Sequence, residues 1–201
     1  MDRVNAFARR VPVWAVWMLA LVPLGLLILQ AVTNNLGPDP VKTLERDLGD
    51  WGIKFLILCL AVTPLRRFAG LNLIKFRRAL GLITFTYVAL HLAVWVSLDL
   101  AFRWAEIGAD LVKRPYIIVG MAGFVLMIPL AITSSNAAIR RLGGLNWRRL
   151  HKATYAVAVL GALHFVMISK VWWGDALLHA AILLLLLVLR LPFPQRKASL
   201  A

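Results

Sequence analysis

The chain has 201 residues, 61% of them hydrophobic and 16% charged, with a mean hydropathy of +0.79. Soluble domains average about half apolar and about a quarter charged residues, and no long polar stretch is present for a separate soluble domain, so composition bounds the chain to one membrane domain, residues 1–201. The net charge of +14 would point to nucleic acid in a soluble protein; in a membrane protein it marks loops facing the cytoplasm, and no nucleic-acid partner is expected.

A helix needs about 20 apolar residues to span the hydrocarbon core. The first such run, Val13 to Val32, follows Arg3, Arg9 and Arg10. A basic flank also precedes signal peptides, but the length of this run and the lack of a small-residue cleavage site make it a first transmembrane helix. A polar loop from Asn34 to Asp50 follows, with Pro38 and Pro40. The second run, Trp51 to Leu65, is short and holds Lys54, which can snorkel to the interface. Four more spans are expected at Leu80–Leu100, Pro115–Thr133, Arg149–Val171 and Ala176–Leu191, with Gly143-Gly144 marking the turn between the fourth and fifth helices. The fold class is therefore an all-α, polytopic bundle of six transmembrane helices, with no clear internal repeat. Trp14, Trp17, Trp51, Trp95, Trp104, Trp147, Trp172 and Trp173 fall mainly near helix ends, as an interfacial aromatic belt does.

Charge sets the orientation. Arg3, Arg9 and Arg10, then Arg66, Arg67, Lys75, Arg77 and Arg78, then Arg140, Arg141, Arg148, Arg149 and Lys152, and finally Arg190, Arg196 and Lys197 fall on alternate connections. Every acid except Asp2 lies on the other side, in loops or at helix ends: Asp39, Glu45, Asp47, Asp50, Asp99, Glu106, Asp110 and Asp175. The positive-inside rule places both termini in the cytoplasm of a bacterial inner-membrane protein, with the basic face also suited to anionic lipid.

Cys59 is the single cysteine, which excludes an internal disulfide, a Cys-rich metal site and an iron–sulfur cluster. The four histidines, His91, His151, His164 and His179, all lie in or beside predicted spans, where an ionisable side chain is costly and reads as functional. His91 lies 13 residues beyond Arg78, and His164 15 beyond Arg149, which is about 20 and 22 Å of helical rise. The two thus share one level in the outer half of the bilayer on different helices, as the axial ligands of a bis-histidine haem require. Gly161 leaves room for the flat ring. His151 lies near the cytoplasmic surface, and Arg78 rather than a histidine occupies its level on the third helix. It is open to a haem with an unusual partner, to a flavin or propionate contact, or to an interfacial capping role. His179, four residues past Asp175, is a rival ligand near the level of His164. A lone membrane histidine is otherwise an interhelical hydrogen bonder; that alternative has its greatest weight at His179 and its least at His91 and His164. Zinc takes three or four protein ligands, and no buried carboxylate joins these histidines.

The run Trp147-Arg148-Arg149-Leu150-His151-Lys152-Ala153-Thr154-Tyr155 resembles the Trp-x-x-Leu-His-x-x-x-Tyr signature of the ferric-reductase-like transmembrane domain family. Arg114-Pro115-Tyr116, Pro129-Leu130-Ala131-Ile132-Thr133-Ser134, Thr63-Pro64-Leu65-Arg66-Arg67 and Arg77-Arg78-Ala79-Leu80-Gly81-Leu82 resemble its haem-binding subunits from periplasmic methionine sulfoxide reductase systems. The resemblance implies an electron-transfer subunit, not the catalytic one, which binds haem b and FMN. It implies electron flow from the quinone pool or a cytoplasmic flavin reductase to a periplasmic molybdopterin subunit that repairs oxidised methionine. The family's haem histidines map onto His91, His151 and His164. No G-x-G-x-x-G dinucleotide fingerprint is present, so the reductant is expected to be external. Two readings of other classes compete: a small transporter using the histidines as a proton relay, whose marks are broken midplane helices and embedded carboxylates, and a cofactor-free scaffold.

Overall fold

The computed structural model describes residues 1–169 and 174–191, and the regular structure among them is entirely helical. In chain order the helices are α1 (Asp2–Arg10), α2 (Val13–Val32), α3 (Pro40–Phe68), α4 (Arg77–Val94), α5 (Trp104–Lys113), α6 (Pro115–Ile132), α7 (Asn136–Leu142), α8 (Gly144–His151), α9 (Ala153–Ile168) and α10 (Asp175–Val188). A 3-10 turn, Ile74–Phe76, leads into α4, and a π-helical turn, Trp95–Asp99, continues it. Five segments are long and apolar enough to cross a membrane: α2, α3, Ile74–Asp99, α6 and the α8–α9 segment Gly144–Ile168. The sixth expected span is α10, whose 14 residues rise about 21 Å, short of a core roughly 30 Å thick. The expected end of the fifth span at Val171, and Trp172, Trp173, Arg196 and Lys197, lie outside the described residues.

Two sequence expectations are corrected on the acidic side of the chain. Residues 40–50 are helix, not loop, so the second span is the longest rather than the shortest. Asp39 caps the N-terminus, its carboxylate accepting from the Lys42 amide at 3.1 Å, and Pro40 occupies the first helical position, where its missing N–H costs nothing. The charges of this extension pair along or across the helix: Lys42 with Glu45 at 3.0 Å and with Asp99 at 2.6 Å, and Lys54 with Asp50 at 2.5 Å. The connection between the third and fourth spans, residues 101–114, also contains a helix, α5. Its Ile107 packs with Trp95, Leu100 and Ile117, while Glu106 and Arg103 pair outside at 2.9 Å.

α3 is the axis of the bundle. One face joins α2 and α4 through Ala20, Leu27, Leu48, Phe55, Ile83 and Tyr87; another joins α6, α9 and α10 through Leu56, Leu60, Met127, Ala158 and Leu183. The outer face of α2, by contrast, presents Leu19, Val22, Leu26, Leu29 and Val32 outward. Contiguous apolar surface on this scale is expected only where lipid, or a partner, replaces water. The proline inside α3 leaves a carbonyl that a residue just beyond α10 serves. Pro64 has no N–H for the Leu60 carbonyl four residues earlier, and Arg190 donates to that oxygen through Nε at 3.1 Å and Nη2 at 2.6 Å. Between α2 and α4, the Ala20 carbonyl accepts from the buried Tyr87 hydroxyl at 2.5 Å.

The basic segments that the sequence alternates are brought to one end. Asn5 of α1 bonds the Gly70 carbonyl and the Asn72 amide, both at 2.9 Å; Lys75 reaches the Arg9 and Val11 carbonyls at 2.7 and 2.6 Å; Arg78 donates to Asn136 at 2.8 Å. The Lys42–Asp99, Arg103–Glu106 and Arg114–Asp110 pairs belong to the segments that alternate with these.

Candidate cofactor site

Between the two packed faces of α3 lies a cavity of about 560 Å³, within the range of roughly 300–1,000 Å³ of small-molecule and cofactor sites. Its interior is apolar, with Leu56, Val88, Phe124, Met127 and Val157; its mouth is charged, with Lys42, Glu45, Arg46, Asp50 and Arg114. Into it come His91 from α4 and His164 from α9, their ring centres 6.2 Å apart and their planes at 80°.

Each imidazole is held by the same local device on a neighbouring helix. His91 Nδ1 lies 2.7 Å from the Glu45 carbonyl of α3, and His164 Nδ1 lies 2.7 Å from the Tyr116 carbonyl of α6. A carbonyl oxygen only accepts, so both Nδ1 atoms carry the proton and both Nε2 atoms keep their lone pairs. Four residues after each carbonyl stands a glycine, Gly49 or Gly120, and three residues later a second, Gly52 or Gly123. In a helix the carbonyl of residue i faces the N–H of residue i+4. With no Cβ at i+4, a ring can lie against the backbone and reach the oxygen. A Cβ at Gly49 would stand 3.2 Å from His91 Nδ1, and one at Gly120 only 2.7 Å from His164 Cε1 and Nδ1. The helix pairs α3–α4 and α6–α9 therefore repeat one arrangement, although their sequences show no clear repeat.

The pair suits a metal taken from opposite sides. Imidazole nitrogens bind a metal at about 2.0 Å, which separates the centres of two such rings by roughly 6 Å. Among the described residues no three His, Cys, Asp or Glu side chains converge, so a closed zinc-type site is not formed there. The donor set and the largely apolar chamber match a haem held by two histidines.

The other two histidines are placed elsewhere. His151 ends α8, stacks on Trp147 with ring centres 3.9 Å apart, and has Nε2 3.1 Å from the Thr133 hydroxyl. That hydroxyl already donates to the Pro129 carbonyl at 2.6 Å, so it accepts from His151, whose Nε2 is the protonated nitrogen. His151 is not brought into the cavity. Nor is His179, expected as a rival ligand: its Nδ1 bonds the Asp175 carbonyl one turn back at 2.6 Å, its Nε2 lies 4.0 Å from Asp50, and its ring abuts Phe165. Gly161 does line the cavity, and a Cβ there would make only an ordinary contact with Leu56 at 3.9 Å. Sequence reasoning missed Arg46, Arg114 and the pairs Gly49/Gly52 and Gly120/Gly123. The repeated G-x-x-G spacing inside two apolar helices was the available signal.

Comparison with known families matches residues 48–162 to the ferric reductase like transmembrane component, a stretch that includes His91 and His151 and stops two residues before His164. Several curated proteins named protein-methionine-sulfoxide reductase heme-binding subunit MsrQ are similar over most of their length. The one from Brucella anthropi is 42% identical over 187 residues, covering 92% of this chain and 84% of that protein. The Ralstonia nicotianae protein is 45% identical over 185 residues (88% and 82%), and the Rhodospirillum rubrum protein 44% over 187 (92% and 90%). No solved structure matches the chain. On this evidence the chain is a multi-pass membrane protein of the ferric reductase like transmembrane component family and belongs to its MsrQ group.

Proposed function

We propose that this chain is a haem b-containing electron-transfer subunit of the bacterial inner membrane, with His91 and His164 as the axial ligands of one haem. The observation that carries the reading is the pair itself: two imidazoles 6.2 Å apart in one cavity, each with Nδ1 tied to a carbonyl. The same reading makes residues 1–201 one domain with six transmembrane helices and cytoplasmic termini, which the segregation of basic segments supports.

When bound, haem supplies one-electron chemistry that no side chain here offers. The chain's own residues set its conditions. Glu45 and Tyr116 fix the tautomer and rotation of the ligands and raise their basicity. The apolar interior keeps water away, and the cations at the mouth favour the more negative, reduced state. His151 is a further cofactor contact nearer the basic end, and FMN is a second cofactor that the resemblance to the family implies. The names of the similar proteins support a heterodimer with a methionine sulfoxide reductase subunit. Extending that, the acceptor is a periplasmic molybdopterin enzyme that repairs oxidised periplasmic proteins, and the donor is the quinone pool or a flavin reductase.

Purified protein expressed with ample haem is expected to be red, with a Soret band that shifts on reduction. Colourless protein would sink the reading and favour the proton-relay transporter or the scaffold. Reporter fusions at both termini and in residues 101–113 test the orientation; an external N-terminus would overturn it.

A further inference from the structure

The histidines and apolar walls account for the iron and the flat body of the proposed group, but not for the cations at the cavity mouth. Lys42 is neutralised there by Glu45 at 3.0 Å and Asp99 at 2.6 Å. Two arginines have donors to spare. Arg46 is exposed at the rim, and no described carboxylate pairs with it. Arg114 gives Nε to Asp110 at 3.2 Å and Nη1 to the Tyr116 hydroxyl at 3.3 Å, leaving Nη2 uncommitted. Their positions in the chain are parallel. Arg46 directly follows the carbonyl that holds His91, and Arg114 lies two residues before the carbonyl that holds His164. Each ligand-positioning segment thus brings one guanidinium to the same opening. A guanidinium binds a carboxylate through a planar pair of N–H donors, and this geometry does not suit a neutral ligand in the same way.

We infer that Arg46 and Arg114 form a two-armed carboxylate clamp that takes the two acid side chains of the porphyrin at the cavity mouth. The clamp sets which edge of the macrocycle faces out, a rotation about the iron–histidine axis that two imidazoles alone leave free. The inference rests on the haem reading above. It assigns binding roles only, with no step of electron transfer passing through either arginine.

The test compares two probes in haem-depleted full-length protein: iron protoporphyrin IX and its dimethyl ester, which lacks both negative charges. The unmodified protein is expected to bind the free acid at least roughly tenfold more tightly than the ester, since charge-assisted hydrogen bonds differ from neutral ones on about this scale. Arg46→Gln removes no native ion pair and should weaken the acid alone by roughly threefold, as a partly exposed pair does. The double variant Arg46→Gln/Arg114→Gln should bind both probes equally and show a lowered midpoint potential. Arg103→Gln, at the same end but outside the cavity, should keep the full preference. A double variant that still prefers the acid, with an unchanged potential, overturns the clamp and leaves the histidine pairing intact. Failure of the unmodified protein to bind either probe overturns the haem reading itself, and the clamp with it. The two failures are therefore distinct.

Discussion

His91 and His164 at one end of the bundle and His151 at the other have similar chemistry and opposite wiring. The first two spend Nδ1 on a main-chain carbonyl, which leaves the Nε2 lone pair available to a ligand. His151 spends Nε2 on Thr133 and lies flat on Trp147, outside the cavity that takes the other two. What separates a ligand-ready membrane histidine from an interhelical hydrogen bonder is which nitrogen the neighbouring helix consumes, and whether glycine leaves the ring somewhere to lie.

The largest effect that could break this contrast is on haem content. His91→Ala and His164→Ala are each expected to abolish nearly all bound haem, measured as haem per protein after purification. His151→Ala should lower the ratio only in part, and His179→Ala should leave it almost unchanged. Full pigment in the His91 variant would end the pairing, and an unaltered ratio without His151 would make that residue a hydrogen bonder alone.

The glycine device comes next. A methyl at Gly120 collides with His164 at 2.7 Å, and overpacking of this kind costs about 1–3 kcal/mol, so Gly120→Ala should weaken haem binding by roughly tenfold or more. Gly49→Ala, at 3.2 Å from His91, should do less, and Gly161→Ala should change affinity within about twofold. Equal losses at Gly120 and Gly161 in a haem titration would show that cavity volume, not ring placement, is what the glycines serve.

A smaller effect tests whether the two ends differ in purpose. Arg190→Met removes the donor to the Leu60 carbonyl that Pro64 leaves without a partner in its own helix. Thermal unfolding in detergent should show a loss of about 1 kcal/mol, the scale of a hydrogen bond between membrane helices, with the haem spectrum unaltered. A shifted spectrum would mean that the basic end also shapes the cofactor site.

The smallest effect is expected on docking. The acids at the same end as the cavity offer a docking surface for a redox partner; Asp110 and Glu106 are each paired with an arginine, at 3.2 and 2.9 Å, whereas Asp47 has no ion pair among the described residues. Asp47→Lys should therefore slow electron transfer to an added partner a few-fold at low salt, with the difference fading as salt is raised. Rates unchanged at every ionic strength would remove Asp47 from the docking surface.

Hydropathy alone located the apolar spans that the structure contains, because a membrane-crossing helix must satisfy its backbone within itself and so writes its length into consecutive residues. The level shared by His91 and His164 was legible for the same reason, helical rise being a local quantity. The helix over residues 40–50 was hidden by its charges, which read as a loop until Asp39, Pro40 and the Lys42–Asp99 contact are seen together. The second half of that contact comes from 57 residues away. Residue types and spacing thus determined which groups were available and at what height. Only the packing of α3 on α4 and of α6 on α9 decided which nitrogen each histidine keeps, that two glycines and two carbonyls serve the same purpose, and that two arginines line one cavity, because each depends on distances between helices that no single stretch of chain encodes.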